Sequence, residues 1–199
     1  MNTLRNLNTR YKAFKEKYGL VYEFASSILI AYVLVILMTN FLIYPVSVDG
    51  TSMYPTLRDR DYGFSNLLSY RSQSIQRFDV VIIYYAPINE YLIKRVIGLP
   101  GDIVEYRNDI LYINNEPIRE SYLLDTLYAK QYEASGEPYT ADFGPILVKE
   151  GQVFIMGDNR LPGGSTDSRV FGTLAISNIK SKDVYVLWPL NHFRWITGQ

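Results

Sequence analysis

The chain has no cysteine and a single histidine, His192, among its 199 residues. Without thiols there is no thiol nucleophile, no Cys-based zinc site and no disulfide, and the redox compartment is left open. One imidazole falls short of the two or three that a zinc hydrolase needs at set spacing, which argues strongly against metal catalysis by that route. Net charge is lacking too, since 20 Lys and Arg balance 20 Asp and Glu. That balance argues against an electrostatically driven nucleic-acid binder. Hydrophobic residues make up 48% of the chain, enough for a sizeable core and against global disorder.

Charge is missing altogether between Phe24 and Tyr44, FASSILIAYVLVILMTNFLIY. At ~1.5 Å rise per residue, about 20 residues cover the ~30 Å hydrocarbon core of a bilayer, so this segment is long enough to span as a helix. Residues 1–23 carry Arg5, Arg10, Lys12, Lys15 and Lys17 against Glu16 and Glu23. The basic excess is expected to hold the N-terminus in the cytoplasm and place the rest outside. A cleavable signal peptide would have a shorter apolar region followed by small residues, whereas this segment exits through Tyr44, Pro45 and Val46. The buried helix of a soluble domain would carry a polar stripe, and none is present. The expected organisation is therefore a cytoplasmic segment 1–23, a membrane anchor 24–44 and an extracytoplasmic domain 45–199.

Beyond Pro45 the pattern changes to short runs rich in Val, Ile and Tyr, bounded by Pro, Gly, Asn and Asp. Val80–Tyr85, Tyr91–Ile97, Ile103–Tyr106, Ile110–Ile113, Val153–Met156 and Val184–Leu187 read as strands of a mainly β domain. Asp109–Arg119 reads as a hairpin turning at Asn114–Asn115. Glu120–Gly144 is polar and Tyr-rich with little periodicity, consistent with a small inserted subdomain at about 105–150. Leu67, Leu68 and Tyr70, and the tail Phe193–Trp195, either rest on the lipid interface or pack into the core.

Three stretches carry chemistry. In Asp49–Leu57, DGTSMYPTL, Ser52 is flanked by Gly50 and Pro55, which suits a tight turn with an exposed backbone amide; a plain polar turn fits the same residues. In Tyr91–Asp102, YLIKRVIGLPGD, Lys94 lies between Ile93 and Val96, with Arg95 alternating to the other face. If Lys94 points inward, burial lowers its pKa and frees a neutral amine to act as a base. If instead Arg95 points inward, it forms a salt bridge and Lys94 is solvated; alternation alone does not choose. In Gly157–Gly172, GDNRLPGGSTDSRVFG, short polar side chains can staple a loop or orient an amine, or form surface Asx turns. A Ser–His–Asp arrangement would have to use His192 in an aromatic tail, whereas serine with lysine as base needs no histidine.

Taken in order behind one N-terminal anchor, SMYPTL, RFDVVIIYY, KRVIGLPGD and GDNR with STDSR resemble the type I signal peptidases, in the Gram-positive-like form. The resemblance implies a signal-peptidase-like β domain with an inserted subdomain behind one transmembrane helix. It makes Ser52 the nucleophile and Lys94 the general base. Ser165 would orient the lysine, Asp167 and Arg169 would pair beneath the site, and Gly157, Asp158 and Asn159 would support it. Some relatives have a serine where this chain has Gly50, so the main oxyanion donor is expected to be the Ser52 backbone N–H. The loop LPGG (161–164) is about two residues longer than the usual spacing, which leaves Ser168 as the alternative to Ser165. The resemblance further implies signal peptides of exported preproteins as substrates, no cofactor or metal, contact with the lipid bilayer and proximity to the protein-export machinery. Two rivals share these features in part. A catalytically silent assembly chaperone would lack the serine or lysine, and a self-cleaving repressor would carry a DNA-binding module in place of the span.

Overall fold

The computed structural model describes residues 2–72, 74–124, 130–131, 134–136 and 138–198. The chain divides into two compact units, 1–42 and 43–199. The first is one continuous helix, α1 (Asn2–Phe41). Its apolar part, Lys17–Phe41, is 25 residues long and none of the span is buried, unlike the core helix of a soluble domain. Polar side chains within it return their hydrogen bonds to the helix itself. Ser26 and Ser27 hydroxyls donate to the Glu23 carbonyl, Thr39 to Val35, and the Asn40 amide to Ile36. Such internal satisfaction lets Ser, Thr and Asn reside in an otherwise apolar helix. Pro45, which cannot donate to a helix and disfavours helical geometry before it, lies just beyond the end.

The second unit is built from two sheets. The larger has eight strands, ordered β1 (Ile43–Ser47), β2 (Tyr62–Asn66), β11 (Ile179–Trp188), β3 (Val80–Tyr85), β4 (Glu90–Gly98), β9 (Gln152–Met156) and β10 (Leu174–Ala175), with β12 (Arg194–Ile196) pairing with β11. The smaller has four, ordered β7 (Glu116–Ile118), β6 (Ile110–Ile113), β5 (Ile103–Arg107) and β8 (Phe143–Leu147). All the pairings are antiparallel.

The expected hairpin is present: β6 and β7 join through Asn114 and Asn115, at φ 53° and 69°. Asn108 and Asp109 make the same left-handed turn between β5 and β6, at φ 50° and 62°. Asn and Asp tolerate that region at little cost, which fixes both two-residue loops. β11 is longer than the run Val184–Leu187 suggested. Its first half, IKSKD, hides behind charged residues, and Asp183 at φ 60° sits where the register shifts against β2. Within 120–144 the described residues hold a short helix, Ser121–Leu124, and further helical residues at 130–131 and 134–135 before β8; part of that stretch lies outside the described residues.

Three apolar clusters form the core. Val46, Val48, Met53, Leu57, Val80, Ile82, Val184, Val186 and Ile196 lie beneath the Ser52 loop. A second cluster joins Ile97, Phe154 and Met156 to the smaller sheet, and a third gathers Val81, Ile83, Val96, Val153, Ile155 and Ile179. Tyr70 packs against the third cluster, whereas Leu68, Phe193 and Trp195 are exposed, the last two at 70% and 64%. The core reading thus holds for Tyr70 and not for Leu68, Phe193 or Trp195.

Candidate active site

Ser52 lies on the loop between β1 and β2, held by four backbone contacts. Tyr54 N and Asn159 Nδ2 donate to the Thr51 carbonyl, Asn159 N donates to the Ser52 carbonyl, and Gly50 N donates to Asp59 Oδ1. Gly50 adopts φ +94°, a region that only glycine enters freely. Because its N–H is bound to Asp59, it is not free to serve a substrate. The Ser52 N–H, by contrast, makes no hydrogen bond among the described residues.

Lys94 comes from the middle of β4. Its amine donates to Ser52 Oγ at 2.7 Å and to the Ile93 carbonyl at 3.0 Å. The residue is 2% exposed and its neighbour Arg95 is 1% exposed. The sequence left open which of the two points inward, and both do. Residues 94–98 are buried without interruption, so both faces of the strand are covered and alternation puts neither side chain in water. Burial lowers the Lys94 pKa from 10.5 to about 8, against the pull of Asp167 and then Asp158, while Arg169 adds to the lowering. Desolvation prevails over two carboxylates because each has an arginine partner of its own.

Those partners are close. Arg95 Nε and Nη2 grip Asp158 Oδ1 and Oδ2 at 2.9 and 2.6 Å, with both side chains buried. Arg169 Nε and Nη2 grip Asp167 Oδ1 and Oδ2, each at 2.8 Å. Asp167 also accepts from Gly157 N at 2.9 Å and caps the short helix Ser168–Phe171. Burial alone would raise the Asp167 pKa; the Arg169 charge and the Gly157 N–H outweigh it and hold the carboxyl below its ordinary value.

Gly157 is required by space. A side chain there would run into Ser165 Oγ and the Ser52 carbonyl, so these two groups press against the same backbone atom. The structure therefore brings Ser165 to the Ser52 segment; its buried hydroxyl makes no hydrogen bond to Lys94 and lies on the side of Asp167, where it helps to hold that carboxyl's pKa down. Ser168 is committed elsewhere, accepting from Ile155 N at 2.9 Å. Gly164 of the LPGG loop packs on the Asn159 side chain.

His192 is engaged away from Ser52. Arg58 Nη1, which can only donate, reaches its Nε2 at 2.7 Å, so Nδ1 carries the proton and donates to Asp61 at 3.0 Å. An imidazole whose lone pair is taken by a guanidinium is a poor base for a serine.

Sequence reasoning missed Arg160 and Glu120. Arg160 Nε donates to the Gly157 carbonyl and its Nη2 pairs with Glu120 at 2.5 Å, fully buried. Arg160 follows directly on GDN, but nothing in the sequence near Glu120 marks it as its partner. The walls of the site were missed as well. A cleft of about 500 Å³ runs from Ser52 and Lys94 between residues 44–49 and 90–93. Among the described residues no group of side chains could hold a metal ion.

A family profile described as "Signal peptidase, peptidase S26" matches residues 21–188. A Signal peptidase I of Bacillus amyloliquefaciens is 40% identical over 187 residues, covering 94% of this chain and 95% of its own length. Signal peptidase I T of Bacillus subtilis is 38% identical over 195 residues, 98% of each chain. Signal peptidase IB of Staphylococcus aureus is 33% identical over 180 residues, covering 87% of this chain and 92% of its own.

Proposed function

The chain belongs to the signal peptidase family, peptidase S26, and from that membership we infer that it is a membrane-bound endopeptidase removing signal peptides, with Ser52 as nucleophile and Lys94 as general base. The observation that carries the residue assignment is the 2.7 Å contact between Ser52 Oγ and a buried lysine amine whose pKa is lowered to about 8. At neutral pH about a tenth of such an amine is unprotonated, far more than for a free lysine.

In that neutral form Lys94 accepts the hydroxyl proton as Ser52 Oγ bonds to the scissile carbonyl carbon. The oxyanion is met by the Ser52 N–H, a donor already fixed by the Asn159 and Tyr54 contacts on either side. The Lys94 ammonium then protonates the leaving amine as the C–N bond breaks. Water next attacks the ester, giving its proton to Lys94, and the acyl group leaves as a carboxylate while Ser52 recovers its hydrogen. Asp158, Asn159, Asp167 and Arg169 support this centre. Ser165 is placed to orient the lysine only if its hydroxyl turns toward it.

The cleft suits an extended peptide. β1 pairs with β2 alone, and Glu90–Ile93 of β4 pair with β3 alone, so each presents an unpaired edge to the groove. A substrate strand can bond to those edges while its side chains enter the cleft. The apolar α1 with its basic N-terminal flank supports a cytoplasmic N-terminus and an extracytoplasmic domain, in reach of preproteins leaving the export machinery. The exposed aromatics Tyr62, Trp188, Phe193 and Trp195 fit a lipid interface.

The test is incubation of the detergent-solubilised protein with a preprotein, locating the cut by mass spectrometry. The wild type is expected to cut at the end of the signal peptide, and Ser52→Ala and Lys94→Met to lose several orders of magnitude in rate. Substantial turnover by purified, folded Ser52→Ala would move the nucleophile elsewhere.

A further inference from the structure

The cleft ends in a pair of tyrosines. Tyr44 on β1 and Tyr91 on β4 line it from its two opposite walls, and their rings meet at 5.8 Å between centroids, tilted by 53°. Tyr91 is the cross-strand partner of Tyr84, whose ring lies 5.3 Å away and whose hydroxyl is fixed on Asn89 Oδ1 at 2.8 Å. Tyr91 is thereby propped from behind, yet it stays 50% exposed toward the open groove. Among the described residues no metal-ligating group or ion pair includes either ring. Tyr44 packs partly on the core, but Tyr91 belongs to no core cluster.

Their height along the groove follows from strand geometry. Tyr91 precedes Lys94 by three residues, about 10 Å at ~3.3 Å per residue. A peptide lying extended beside β4, with its scissile carbonyl at Ser52, brings the residue about four positions before the cut level with the two rings. Among the described residues that line the cleft, the charged groups besides Lys94 are Asp49 and Glu90, both acidic.

We propose that Tyr44 and Tyr91 form an aromatic subsite that selects an apolar side chain at about the fourth residue before the cut and disfavours a carboxylate there. The proposal rests on Ser52 being the nucleophile, which sets the register. An apolar side chain covering the two ring faces leaves water, whereas an acidic one would be desolvated beside Glu90 with no cation in reach. The subsite works on the substrate alone and leaves the proton transfers at Lys94 unchanged.

The experiment uses the full-length protein in detergent and a preprotein series differing only at the fourth residue before the cut: Leu, Ser or Asp. The ratio of kcat/KM between them is read, because a ratio is insensitive to how much of a preparation is active. The wild type is expected to prefer Leu over Asp by about tenfold or more, with Ser between. Tyr91→Ala should reduce the preference to about twofold, Tyr44→Ala should reduce it in the same direction, and Tyr91→Phe should retain it. A wild type that does not discriminate at this position would overturn the inference, even if no variant folded. So would a preference that survives both alanine substitutions, or one found only at another position. Ser52→Ala serves as the control for the underlying reading. Full activity there would displace the nucleophile, whereas an inactive Ser52→Ala with an unchanged Tyr91→Ala preference would remove only the subsite.

Discussion

At the scale of single residues, the proposed chemistry turns on how far burial lowers the pKa of one lysine among carboxylates. Asp167 and Asp158 both pull the Lys94 pKa upward, and Arg169 opposes them. The rising limb of kcat/KM against pH is therefore expected at about 8. In Arg169→Gln the unopposed Asp167 charge should move that limb to higher pH and slow the enzyme at neutral pH. A pH–rate profile of the two proteins checks this, and a limb that stays in place would assign it to another group. The same lowering has a cost in stability. The folded chain loses the Lys94 proton near 8 and the unfolded chain near 10.5, so between those values the unfolded state binds more protons and stability rises with pH. Below about 8 the penalty of roughly 3 kcal/mol is fully present. Lys94→Met removes it, and is expected to unfold at a higher temperature than wild type at pH 7 with a flatter dependence above pH 8. Thermal unfolding at pH 7 and 10 reads both; a less stable variant at pH 7 would show that the amine's bonds to Ser52 and Ile93 outweigh its desolvation. Ser52 near Gly50 on a turn and Lys94 inside an apolar run stood out in the sequence, but each had a plain reading too, and their proposed roles came from the family resemblance. The direction of Lys94 was not legible, since alternation assumes one wet face and β4 has none.

At the scale of elements, the smaller sheet reaches the candidate site through buried charge. Glu120 follows β7, accepts from the hydroxyls of Tyr106 and Tyr122, and pairs with Arg160, which in turn donates to the Gly157 carbonyl. Tyr122 lies under the Arg95 guanidinium at 3.8 Å, so the network also touches the partner of Asp158. Glu120→Ala leaves the Arg160 charge buried and unpaired, and is expected to destabilise the protein by about 3–5 kcal/mol. The double variant Glu120→Ala with Arg160→Met should recover part of that loss, because no buried charge then lacks a partner. Urea unfolding of the wild type, Glu120→Ala, Arg160→Met and the double variant tests the coupling, and additive effects would mean that the pair does not act as a unit. Strands and the hairpin at Asn114–Asn115 were readable here from β-branched runs and from Asn–Asn, whereas this network was not. Its members are 40 residues apart in sequence, and a Glu in a polar stretch looks solvated until the fold buries it.

At the scale of the whole molecule, the chain joins a long apolar helix to a β unit. Both were legible, the helix from its unbroken apolarity and the β unit from the change of pattern at Pro45. What a sequence leaves undetermined is the pairing order of distant strands, such as β11 between β2 and β3, because no local signal brings residue 182 beside residue 81. The proposed orientation in the bilayer rests on charge rather than packing. Arg5, Arg10, Lys12, Lys15 and Lys17 precede the span, while residues 45–61 after it hold Arg58 and Arg60 beside Asp49, Asp59 and Asp61. Retention of the basic flank on the cytoplasmic side is the expected outcome, since it is the Lys and Arg near the ends of a span that bias its orientation. A tag at Met1 should then be protected from protease added outside intact cells, while the unit beyond Pro45 is degraded. Replacing Arg10, Lys12, Lys15 and Lys17 with Gln together should weaken the bias and give a mixed population, part of it with the tag exposed and the protease unit trapped inside. In that population preprotein processing should fall in proportion to the inverted fraction, because an inverted Ser52 faces the cytoplasm. An accessible tag on the wild type, or an unaltered orientation in the Gln variant, would show that something other than these four charges sets the topology.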